Sequence, residues 1–113
     1  MVITDRQLEI CKLKDWNVRI DSDGDAELEN WSPAGENLVF YIEKDKDFVR
    51  GVKELSAYFD ADEHAEMWVE SRGKRGVPNS IRELIDDADA IDKMLQDLAT
   101  ALAETEEVDD NAE

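Results

Sequence analysis

The spacing of apolar residues changes period twice along this chain, and few folds accommodate that change. Trp16, Val18 and Ile20 alternate with Asn17 and Arg19, a period of two that predicts a strand with one buried face. Ala26, Leu28 and Asn30 alternate with Glu27, Glu29 and Trp31 in the same way and predict a second strand. The run Leu38-Val39-Phe40-Tyr41-Ile42 is the most β-prone of all. Its apolarity on both faces predicts the most thoroughly covered strand. Turn-forming residues separate the three, Asp21-Ser22-Asp23-Gly24-Asp25 and Ser32-Pro33-Ala34-Gly35-Glu36. On either side the period is helical. The pattern predicts an α+β fold: an N-terminal helix, a three-stranded antiparallel meander, then three helices ending in a long one.

Capping signals mark where the helices begin. Thr4 with Gln7 forms a capping box for a helix over Asp5 to Lys14, and Ile3 lies where it can staple to Leu8. Phe48, Val52, Leu55 and Phe59 share one face of a helix that starts at Asp47. Asp60-Ala61-Asp62-Glu63 opens another, reaching about Ser71, and Arg72-Gly73-Lys74-Arg75-Gly76-Val77-Pro78 reads as the loop that ends it. Ser80-Ile81-Arg82-Glu83 opens the longest helix, Ile81 to Glu104. Here Ile81, Ala88, Leu95 and Leu102 interleave with Leu84, Ile91 and Leu98 in heptads. A helix docked inside its own chain shows the same stripe, so an intrachain core and a coiled-coil homodimer both stay open. Residues 1–105 read as a single domain and 106–113 as an acidic, frayed tail.

The 113 residues carry 30 acids against 13 bases, a formal charge of -17. Hydrophobic residues still make up 42%, enough for a folded domain, so acidity here does not mean disorder. It does argue against direct binding of nucleic acid or of anionic membranes, whose charge has the same sign. No stretch is long and apolar enough to span a bilayer. The opening Met1-Val2-Ile3-Thr4-Asp5-Arg6 lacks a signal-peptide layout, and a cytoplasmic location is expected.

Motifs that carry chemistry are sparse. Asp21-x-Asp23-x-Asp25-x-Glu27 invites a calcium reading, but Gly24 falls fourth rather than sixth and Ser32 stands at position twelve. A hairpin turn is the better reading. His64 is the only histidine and Cys11 the only cysteine, which excludes a multi-cysteine zinc site and leaves a nucleophile short of partners. His64-Ala65-Glu66 has the deaminase spacing without the Pro-Cys-x-x-Cys that would complete it. The basic loop lacks the strand and the Gly-Lys-Ser/Thr of a phosphate loop. A non-enzymatic protein without a cofactor or metal is expected.

What stands out is where the acids sit. Glu54 to Glu70 holds six acids and no Lys or Arg, and Gly76 to Glu113 holds twelve against Arg82 and Lys93. On the long helix, Glu83, Asp86, Asp87, Asp89, Asp92 and Asp97 span fourteen residue steps, or roughly 21 Å. That is about one charge per 3.5 Å, close to the roughly 3.4 Å phosphate spacing of one DNA strand. Like charges at i,i+3 and i,i+4 destabilise a helix by about 0.2–0.5 kcal/mol per pair. These six, with Asp60, Asp62, Glu63 and Glu66 as a second patch, are the candidate partner-binding residues. Trp31, Trp68 and Tyr58 are hot-spot candidates wherever they are exposed.

Three stretches, Trp31 to Asn37, Phe59-Asp60-Ala61-Asp62-Glu63-His64-Ala65-Glu66-Met67-Trp68, and Gly76 to Leu84, give the chain a family likeness. It resembles small acidic proteins of phages and mobile elements of Gram-positive anaerobes. By analogy, such proteins are often antagonists of host immunity, including DNA-mimicking anti-restriction and anti-CRISPR proteins. The acid distribution, taken with this analogy, leads to the expectation of an inhibitor whose acidic face docks on the basic, nucleic-acid-binding groove of a bacterial defence nuclease. The alternative is a homodimeric accessory or scaffold protein that pairs through the seam of the last helix.

Overall fold

A computed structural model describes residues 1–70 and 80–111, with the side chains of Trp68, Glu70 and 106–111 outside that description. The basic loop read over Arg72 to Pro78 therefore lies outside the described residues. The elements follow the predicted order: α1 (Asp5–Leu13), β1 (Asn17–Ile20), β2 (Ala26–Trp31), β3 (Asn37–Ile42), α2 (Phe48–Tyr58), α3 (Ala61–Glu70) and α4 (Ile81–Asn111). The fold is α+β, with an antiparallel sheet in the order β1-β2-β3. Register is set by Leu28, which faces Val18 on one side and Phe40 on the other.

Helix starts are built as the sequence predicts. Thr4 accepts from the backbone N–H of Gln7, whose side chain accepts from Thr4 in return. The amide nitrogen of Gln7 then reaches Thr105 Oγ1 at 3.3 Å, tying α1 to the far part of α4. Asp47, Asp60 and Ser80 cap α2, α3 and α4 through the N–H groups of Arg50, Glu63 and Glu83. The end of α1 is a Schellman turn. Trp16 N–H bonds to Cys11 O at 2.8 Å and Asp15 N–H to Lys12 O at 3.0 Å, with Asp15 left-handed at φ 67°.

One core unites the elements. The inner face of the sheet (Ala26, Leu28, Leu38, Ile42) meets Phe48, Val49 and Val52 of α2 and the stripe Ile91, Leu95, Leu98 and Leu102 of α4. Cys11 and Trp16 close it from the α1 side. Gly51 lets α2 approach β3, since a Cβ there would lie 2.5 Å from Ile42 Cγ2.

Burial decides one alternative left open by the sequence, and three expectations need correction. The heptad seam belongs to the chain's own core: Leu84, Ala88, Ile91, Leu95, Leu98 and Leu102 are buried, and only Ile81 is exposed. It is therefore not free to pair with a second copy, because α1, α2 and α3 already pack against α4. The run at β3 is not the most covered strand but an edge, with Val39 and Tyr41 turned to solvent. Ile20 ends β1 half-exposed rather than buried, lining an open groove at the rim of the sheet with Ile3, Leu8 and Val18. Finally, α4 continues to Asn111, past the predicted end at Glu104. Its length of about 46 Å nearly matches the 51 Å long axis of the molecule.

Candidate functional site

The ten predicted acids fall into three groups once the helices are placed. Leu84, Ala88, Ile91, Leu95, Leu98 and Leu102 point into the core, which fixes the rotation of α4. At about 100° per residue, Asp86, Asp89 and Asp97 then lie on a common outer arc roughly opposite that stripe. All three are exposed. Arg82 and Lys93 share this arc, yet the described ion pairs join Arg19–Glu27, Lys46–Glu54, Arg50–Glu54 and His64–Glu36. Among the described residues none takes Asp86, Asp89 or Asp97. Glu83, also exposed, sits at the margin of the arc, and its backbone N–H completes the Ser80 cap.

Asp87 and Asp92 depart from the expectation. Asp87 is only 5% exposed, and its Oδ1 accepts the backbone N–H of Ala34 at 2.8 Å. It anchors the β2–β3 turn to α4 and cannot face a partner. Asp92 is half-buried on the flank of the helix. The reason is helical geometry: six acids over fourteen steps cannot share one face. The three that do share it are about 4.5 and 12 Å apart along the axis, a mean of about 8 Å, less than half the line density of phosphates on one strand. The match of spacings noted in the sequence does not survive projection onto a real helix.

The second patch is more coherent. Asp62, Glu63 and Glu66 are exposed on α3, and Asp62 and Glu66 line a groove of 690 Å³ between α3 and the start of α4. Its other walls are apolar: Ala65, Val69, Ile81, Leu84 and Ile85. Asp60 is exposed too, but its carboxylate is engaged as the α3 cap, 3.1 Å from the N–H of Glu63.

The remaining chemical candidates have structural duties. His64 Nε2 lies 2.8 Å from Glu36 Oε2, with the carboxylate side chain 8% exposed, and the ring tilts against Phe59 at 5.4 Å. Glu36 N–H in turn donates to Ser32 Oγ at 2.9 Å. Ser32, Glu36, His64 and Asp87 thus form a polar junction where the β2–β3 turn meets α3 and α4. Sequence reading missed it, since its partners are 28 and 53 residues apart and no local pattern links them. Asp21 Oδ1 accepts from the N–H groups of Asp23 and Asp25 at 2.9 and 3.1 Å. The carboxylates of Asp21, Asp23 and Asp25 can be spanned within 4.8 Å, but this geometry is that of the turn. Cys11 is fully buried, and burial pushes its thiol up to about 11. Of the aromatic candidates, Trp31 and Tyr58 are exposed, and the side chain of Trp68 lies outside the described residues.

By fold the protein is a small α+β domain with a one-sided sheet and an acidic helical flank. No protein-family model, no curated protein and no solved structure matches the chain.

Proposed function

We propose that the protein is a non-enzymatic inhibitor whose acidic α3–α4 flank docks on the basic, nucleic-acid-binding surface of a partner. The observation that carries this reading is the outward arc of Asp86, Asp89 and Asp97, exposed and outside every described ion pair. Exposed carboxylates of that kind steer association with a cationic groove and pair there with Arg and Lys. Asp62 and Glu66 extend the charge across the neighbouring groove, whose apolar walls supply contact area that charge alone does not. The resemblance to mobile-element proteins makes a bacterial defence nuclease the partner class to try first. The test is capture of partners from a bacterial lysate at low and high salt, followed by a nuclease assay with the captured protein. A salt-sensitive nuclease that the wild type inhibits and the Asp86→Lys/Asp89→Lys/Asp97→Lys variant does not is the expected result. Inhibition retained by the variant overturns the reading.

A further inference from the structure

The edge strand β3 is unlike the rest of this chain. Asn37–Ile42 contains no charged residue, no proline and no glycine, in a protein where 38% of residues are charged. Natural edges are normally blunted by charge, proline or a bulge, because their free N–H and C=O groups recruit further strands. This edge carries none of those devices, and among the described residues only β2 pairs with β3. Its outer side chains, Val39 and Tyr41, are exposed. Beside it opens a groove of 340 Å³ walled by Phe40, Ile42, Leu55 and Tyr58, with Glu43 and the Lys46–Glu54 ion pair also on its lining.

Charge decides what can sit there. Residues 37–59 hold four acids (Glu43, Asp45, Asp47, Glu54) and four bases (Lys44, Lys46, Arg50, Lys53), so this region is neutral and the whole charge of -17 lies elsewhere. Two copies of the chain repel over most of their surface. Across β3 and α2 they do not.

We propose that the free edge of β3 pairs antiparallel with β3 of a second copy, about a two-fold axis at Phe40, giving a continuous six-stranded sheet. An axis normal to the sheet requires facing residues of the same parity. Phe40 then faces the second copy's Phe40 over the groove, and Val39 faces the second copy's Tyr41 on the open side. Aromatic and β-branched residues placed opposite one another are the favourable cross-strand combinations. The surface is separate from the acidic flank, so the dimer stands or falls independently of the inhibitor reading.

Sedimentation of the full chain over a wide concentration range, at low and high salt, is the test. A monomer–dimer equilibrium that tightens as salt rises is expected, because salt screens the repulsion between two acidic chains. Val39→Lys/Tyr41→Lys places Lys opposite Glu29 and Glu27 within its own sheet, which keeps the fold, and opposite Lys across the dimer. It should raise the dissociation constant on the order of tenfold or more with an unchanged circular dichroism spectrum. Isotope-filtered contacts between Val39 of one copy and Tyr41 of the other provide a readout that does not depend on the variant. A chain monomeric at every concentration and salt, or a dimer indifferent to the variant and without those contacts, overturns the proposal.

Discussion

Ala34 donates its backbone N–H to Asp87 Oδ1 at 2.8 Å, so the tip of the β2–β3 turn hangs on a carboxylate 53 residues away. Asp87 is 5% exposed, and removing its acceptor leaves a partly buried N–H unpaired. Asp87→Ala should therefore cost about 1–3 kcal/mol, read as a lower urea midpoint with an unchanged slope. Asp86→Ala, one residue away but on the exposed arc, should change stability by no more than about 0.5 kcal/mol. Equal losses in the two variants would contradict the division of labour between these neighbours.

That division marks what the sequence could and could not disclose. Period and capping are local, so Thr4, Asp47, Asp60 and Ser80 were legible as helix starts, and the alternation in β2 as a strand. Which acids face outward is not local. It depends on how α4 is rotated by the core and on which turn happens to reach it, and Asp87 is drawn inward by a turn far away in sequence. The exposure of β3 was illegible for the same reason. An apolar run on both faces suits a central strand and an unprotected edge alike, and only the strand order separates them.

Asp15 closes the Schellman turn after α1 with φ 67°, a conformation that glycine adopts without strain and most other residues resist. Both turn hydrogen bonds come from backbone N–H groups, so they survive loss of the side chain. Asp15→Gly should raise the melting temperature by a few degrees, equivalent to about 0.5–1 kcal/mol. Asp15→Val, which is β-branched and poorly suited to positive φ, should lower it. Calorimetry on the two variants checks both signs.

Cys11 makes the alkaline limb of stability specific. Burial raises its thiol from about 9.0 to about 11 in the folded chain, so between those values the unfolded state sheds a proton that the native state keeps. Stability contributed by the neutral thiol is complete below pH 9 and declines as pH rises toward 11. The decline should amount to roughly 2–3 kcal/mol across that window. Urea titrations from pH 8 to 10.5 should show it in the wild type and a shallower slope in Cys11→Ala. Thiol reagents should leave the native protein unmodified at pH 8 and label it at once in denaturant.

The acidic flank makes a prediction about position rather than charge. Reversing Asp86, Asp89 and Asp97 to lysine alters the net charge as much as reversing the exposed Glu9, Asp23 and Asp45 does. If the protein is held to its partner by general attraction between opposite charges, the two triple variants should weaken binding alike. If the outer arc of α4 is the contact, the first should weaken it far more, because it removes direct carboxylate pairing with Arg or Lys as well as long-range steering. The second should slow association only mildly while leaving dissociation unchanged. Salt resolves the same point. Binding of the wild type to a basic partner should fall on the order of tenfold or more between low and high salt. The first variant should show a much shallower dependence, since the groups whose screening produces it are gone. Surface-plasmon measurements of both rates at several ionic strengths distinguish the two cases, and equal behaviour of the two variants would remove α4 from the interface.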